Sequence, residues 1–434
     1  MGKTWLVRDL AARSGRRLVE LNFEREPRLV RLFESNDPRP ILGDLSLVLQ
    51  TEIEPTAAIL FLDEIQAAGQ LLAKLRWFAE ELPALPVIAA GSLLELALAD
   101  HSFSMPVGRI GFRHVEPLGF PEFLEAHGQA VLLSTLRAWR PGGELSTVVH
   151  EQASQWFHRY GMVGGLPAVV AEDVARDDPA ACRQLQRDLV ATYRADFAHY
   201  AGRMDRSILD SVLLAAARSI GRKFVYARVE DGVKQHQAKR ALELLAQARV
   251  CSLVRHTEAN GLPLGGEVKD SFRKALLLDI GLLHALLGTP ALGAFPAWDD
   301  ISPPLRGQMI DQLAGQQLRL IEAGEGDGPE LYYWQREGSR PGEIDYLIQL
   351  GGTIVPIELK AGASGAMKGL HHFMDDKGLD LAVRLDANPP SDVQVNVRTT
   401  HGDPVSYRLL SLPHYMTWAL PAALQALPPR PWSR

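Results

Sequence analysis

Cysteine is nearly absent: Cys182 and Cys251 are the only two in 434 residues. Neither sits at metal-ligand spacing, and two lone cysteines exclude a disulfide framework, as suits a reducing cytoplasm. Long apolar runs are also missing. No stretch reaches the roughly 18 apolar residues of a membrane span, and the N-terminus is too polar for a secretory signal. A basic excess is missing too: the formal net charge is −6, which argues against a general nucleic-acid coat but not against a local basic patch. The chain has neither an internal repeat nor a low-complexity tract. What remains is a globular composition, 46% apolar and 23% charged, in a chain too long for one ordinary core. Two to four domains are expected.

The first block, residues 1–127, alternates short apolar strands with helical segments. Leu18–Phe23, Ile59–Leu62 and Val87–Ala90 read as strands, and Trp5, Leu6, Leu10 and Ala11 recur near helical spacing. Apolar strands separated by helices indicate a parallel sheet covered on both faces. The chain starts Met-Gly-Lys-Thr, and residues 59–66 read Ile-Leu-Phe-Leu-Asp-Glu-Ile-Gln. Gly2, Lys3 and Thr4 have the residue types that close a phosphate-binding loop. There the lysine reaches the β and γ phosphates, and the threonine hydroxyl meets magnesium. Asp63, at the tip of an apolar strand, suits the same Mg2+, and Glu64 suits activation of water. Ser92, after Ala90-Gly91, is placed either to flank the γ phosphate or simply to cap a helix. Arg109 is a candidate transition-state arginine, in cis or toward a neighbouring subunit, or else a surface residue.

These segments, with Glu116-Pro-Leu-Gly-Phe-Pro-Glu-Phe123, resemble the prokaryotic AAA-type ATPases that carry a C-terminal DUF4143 domain, and the resemblance covers nearly the whole chain. It implies ATP binding and hydrolysis with Mg2+. One departure stands out. Such proteins have a strand and a Gly-rich turn before Gly-Lys-Thr, whereas Met1 stands where the loop is already half complete. Either Met1 is an internal methionine, or this form binds ATP poorly.

Residues 128–204 have helical periodicity, interrupted by Gly-Met-Val-Gly-Gly-Leu-Pro at 161–167, and read as a helical lid and linker. Residues 205–265 suggest two helices followed by a hairpin around Asn260-Gly261, as in a winged helix. Between Asp205 and His256 stand ten Lys and Arg against five acids. Lys234, Gln237, Lys239 and Arg240 are candidates to face DNA from a recognition helix. The alternatives are an ordinary solvated face and a protein-docking module.

In the last block, residues 266–434, Glu358 and Lys360 lie two apart on an expected strand, Thr353–Lys360, and so share a face. Asp345, on the strand before it, can join them. Two carboxylates with a lysine can hold a cation and orient water. The pattern resembles the PD-(D/E)XK nuclease superfamily, which implies Asp311 as the helix acid, Asp311, Asp345 and Glu358 as metal ligands, and Lys360 as a catalytic residue.

The sequence therefore leads to an α/β architecture: a P-loop AAA-type parallel-sheet core, a helical lid, a winged helix and a restriction-endonuclease-like domain. ATP turnover coupled to action on DNA is the favoured function. The alternatives are a nucleotide-gated switch that binds a protein partner, in a regulatory or toxin–antitoxin setting, and a truncated, inactive ATPase. Assembly into a homo-oligomer is open, and cytoplasmic location is expected.

Overall fold

The computed structural model describes residues 2–91, 108–200, 204–291, 298–322, 330–336, 342–350 and 352–427. It separates into two compact units, one spanning Met1–Val115 and the other holding most of the chain from Glu116 onward. Residues 116–127 therefore pack with the second unit.

The first unit is built on a three-stranded parallel sheet in the order β1 (Arg17–Asn22), β2 (Ala58–Asp63), β3 (Val87–Ala90). The central strand, Ala-Ile-Leu-Phe-Leu-Asp, is buried at every position. An apolar run of this kind is what a strand flanked by neighbours and covered on both faces requires. Leu21, Phe23, Phe33, Leu45, Leu60, Leu62 and Phe78 form the main core of the unit. Helix α1 (Lys3–Ser14) closes on Gly15 in the left-handed conformation, as helix ends commonly do. It buries Val7 and Ala11, with Val7 packed on Phe61 and Ala90. Of the expected set only Ala11 faces the sheet, joined by Val7 at i−4, whereas Trp5, Leu6 and Leu10 are exposed. Helix α2 (Pro38–Leu49) starts with Pro38 after Asp37, whose carboxylate accepts from Arg39 N at 2.9 Å. Helix α3 (Leu75–Glu81) anchors Phe78.

The second unit carries an eight-stranded mixed sheet in the order β10-β11-β9-β8-β7-β6-β4-β5. Its strands are β4 (Cys251–Thr257), β5 (Val268–Leu277), β6 (Leu331–Gln335), β7 (Glu343–Leu350), β8 (Thr353–Leu359), β9 (Leu381–Asp386), β10 (Ser391–Arg398) and β11 (Pro404–Pro413). One expectation is corrected here. The β4–β5 hairpin does not form a separate wing, because β4 pairs in parallel with β6 and so joins the strands of the C-terminal block. A strand edge left with bare N–H and C=O groups is costly, and β6 satisfies it.

The glycine-rich break at 161–167 serves packing. Gly164 lies at φ 82°, and a Cβ there would collide with Asp279. Gly165 N donates to Asp279 Oδ2 at 2.7 Å. Asp279, fully buried, also accepts from Gly281 N at 2.7 Å and Gln316 Nε2 at 2.9 Å. Burial pushes its carboxyl up, against these donors. Among the described residues, no helix is long and apolar enough to cross a membrane.

Candidate functional site

In the first unit, the end of β2 and the start of α1 converge. Gly2 adopts φ 86° and delivers the chain into α1, whose first-turn amides have no helical acceptor. Lys3 Nζ donates to Gly91 O, just past β3, at 2.5 Å. Thr4 Oγ1 lies 3.4 Å from both carboxylate oxygens of Asp63. Asp63 is 6% exposed. Burial, followed by the neighbouring Glu64 charge, raises its pKa above the usual carboxylate range. Burial lowers the Lys3 ammonium, while Glu64 and Asp63 pull it back up.

Glu64 stands at φ 52°, ψ 47°, a left-handed backbone for a side-chain-bearing residue. Such a position costs roughly 1–2 kcal/mol and persists only where its surroundings enforce it. Two residues that the sequence reading did not single out complete the corner. Asn22 Nδ2 donates to Asp63 Oδ2 at 3.1 Å, and Gln66 Nε2 donates to Glu64 Oε2 at 2.6 Å. The parallel β1–β2 register, which sets Asn22 opposite Asp63, could have pointed to Asn22. Arg109 is exposed, and its Nε donates to Glu80 Oε1 at 3.1 Å. Ser92 lies outside the described residues.

This corner fits a hydrated Mg2+ ion. Adjacent oxygens on an octahedral magnesium with bonds of about 2.1 Å lie roughly 3 Å apart, close to the Thr4–Asp63 spacing. The contact is also long for a hydroxyl–carboxylate hydrogen bond, so the pair is under-filled.

A second constellation lies in the second unit. Tyr346 on β7 pairs with Ile357 on β8, which places Asp345 beside Glu358. Asp345 Oδ2 accepts from Leu359 N at 2.7 Å. Glu358 is ion-paired with Lys360. Lys360 is held through its backbone: its N–H donates to Leu385 O at 2.9 Å, and His414 Nε2 donates to its carbonyl at 2.8 Å. Asp311 lies on the helix Pro303–Glu322 and faces Gly221. Burial, then the Asp345 charge, pushes Asp311 up to about 7 against the pull of Lys274. The same two causes push Glu358 up to about 7. Lys274 on β5, which sequence reasoning missed, is 3% exposed, pairs with Glu343 and lies 4.7 Å over the ring of Tyr333.

For a divalent ion in this second place, one observation is favourable: Glu358 Oε2 is buried without a hydrogen-bond partner. Two are not. Among the described residues, no group of three or more His, Cys, Asp or Glu could hold a metal ion. Ammonium groups already face the acids. The residues present do not form a ready metal cage, and no hydrolytic step is derived through one.

The basic candidates lie on the helix Gln235–Gln247 and just before it. Lys234, Lys239 and Arg240 are exposed, whereas Ala238, Ala241, Leu242 and Leu245 are buried. Gln237 is half-buried, and its Oε1 accepts from Lys234 N at 3.2 Å, so it caps the helix start.

Residues 1–124 match the family model of an AAA domain. Residues 154–292 match a domain of unknown function, DUF8612, and residues 306–395 match another, DUF4143. No curated protein and no solved structure matches the chain.

Proposed function

This chain carries an AAA domain followed by a DUF4143 domain, and from that premise we propose that its first unit binds and hydrolyses ATP. The observation that carries the reading is the meeting of Lys3, Thr4, Asp63 and Glu64 at one corner of the parallel sheet. Lys3 leaves the Gly91 carbonyl to take the β and γ phosphates, and the first-turn amides of α1 add donors. Thr4 and Asp63 would hold the magnesium that accompanies the nucleotide, and it would offset the phosphate charge. Glu64, fixed by its backbone and by Gln66, accepts the proton of the attacking water as the bond from the γ phosphorus to the bridging oxygen breaks.

Affinity and turnover are tested apart. Titration of the full chain with ATP and Mg2+ is expected to show binding that Lys3→Ala abolishes. Glu64→Gln is expected to keep that binding and to lower hydrolysis by at least about 100-fold. Unchanged turnover in Glu64→Gln would falsify the assignment.

One observation favours an added role in the second unit. Lys234, Lys239 and Arg240 are exposed cations that form no ion pair among the described residues, unlike Arg255, Arg336 and Arg408. This face suits the phosphate backbone of a nucleic acid. Reversing Lys239 and Arg240 to Glu is expected to weaken duplex DNA binding and to flatten its salt dependence. Binding that is insensitive to salt and unchanged by the reversal points to a protein partner instead.

A further inference from the structure

The acid cluster of the second unit is completed from outside the segment that carries its acids. Glu343, Asp345, Glu358 and Asp311 all lie within the DUF4143 match, and Lys274 lies within the DUF8612 match. Strand β5 brings Lys274 to the acids from the far edge of the sheet. Its side chain is 4% exposed and ion-paired with Glu343, and its ammonium rests on the face of Tyr333. A buried ammonium is tolerated only with such partners. The geometry points to Lys274 as the resident cation of this cluster, the group that takes the position a divalent ion would otherwise fill.

Three features carry this assignment. Lys274 is the most buried member of the cluster, while Asp311, Glu343 and Asp345 keep partial exposure. Its ammonium is ion-paired with Glu343 on β7 and covered by the ring of Tyr333. Lys360, one residue past β8, is ion-paired with Glu358. The two lysines therefore share the carboxylates between them, and a metal would have to displace a buried ammonium. Lys274 is a positioning residue: it fixes Glu343 and Asp345 and ties the two matched segments into one sheet.

The test uses full-length protein carrying Asp63→Asn, which removes the magnesium ligand of the nucleotide corner. Mn2+ is added, bound ion is counted by electron paramagnetic resonance, and the unfolding midpoint is followed. With Lys274 in place, no Mn2+ is expected to bind at submillimolar concentration, and the midpoint should not move. Adding Lys274→Met should lower the midpoint by several degrees, and Mn2+ should recover part of the loss. Lys274→Arg keeps the charge and should lie nearer the parent; it carries the test if the methionine variant does not fold. The inference is overturned if Mn2+ binds while Lys274 is present and is lost with Asp345→Asn. It is equally overturned if Lys274→Met keeps the parent midpoint, or if Lys274→Arg falls as far as the methionine variant.

Discussion

Asp63 and Asp279 are both buried acids just at or after the end of a strand, 6% and 0% exposed, and their surroundings differ in one respect. Asp279 receives three short donors, from Gly165, Gly281 and Gln316. Asp63 receives one ordinary side-chain hydrogen bond, from Asn22, two long contacts from Thr4, and the adjoining Glu64 backbone amide. A buried carboxylate saturated by its own protein holds the fold together. One left under-filled beside a lysine and a strained glutamate keeps room for a ligand. The first unit keeps an acid in reserve, and the second uses its acid up.

The largest way to break this contrast is Asp279→Ala. It orphans three buried donors and is expected to cost about 3 kcal/mol or more, read as a lower urea midpoint of the second unit. An unchanged midpoint would show that the donors find water instead.

Acid should act next, through two buried histidines of the second unit. Burial, then the Arg183 charge, holds His284 down to about 3. Burial holds His414 down to about 4, against its hydrogen bond to the Lys360 carbonyl. Below the ordinary value of 6.5 the unfolded chain takes up protons that these rings refuse, so the two histidines lower stability as the pH drops from 6.5 toward 4. Asp311 and Glu358, raised to about 7, take up protons in the folded state first and oppose that loss. Thermal unfolding of an Asp311→Asn, Glu358→Gln variant, which lacks that compensation, checks it; a flat midpoint down to pH 4.5 in this variant would rule it out.

Asp63→Asn sharpens the contrast from the other side. Burial and Glu64 already disfavour the Asp63 charge, so the change in stability should stay within about 1 kcal/mol, while Mg2+-dependent ATP turnover is lost. A large destabilisation would make Asp63 a structural acid like Asp279. The smallest effect belongs to Arg8→Ala. Arg8 pairs with Glu20 at 2.7 Å, but its side chain is 60% exposed, so the unfolding midpoint should barely move, and any shift should vanish in high salt.

Local patterns were readable in the chain wherever they rest on neighbours in sequence. The apolar run 59–62 becomes β2, Asp63 and Glu64 fall at its tip, and Glu358 and Lys360 meet because a strand sets residues two apart on one side. Asp311, implied as a helix acid, does lie on a helix, Pro303–Glu322. Asn22, Gln66, Lys274 and His414 were not legible, because each acts through a partner brought near by sheet register or by a turn. The hairpin around Asn260 illustrates the same limit. Its two strands are adjacent in sequence and easily read, but the strand that β4 joins begins at Leu331. Local pattern does not encode which edge a hairpin chooses.

The place of β6 between β4 and β7 bears on anyone who would cut this protein into pieces. A fragment beginning near residue 306, the start of the DUF4143 match, would leave one flank of Leu331–Gln335 with open backbone groups and its acids without Lys274. Such a fragment should self-associate through that flank. The family boundary is thus a poor place for scissors, and a soluble piece must retain the hairpin that precedes it.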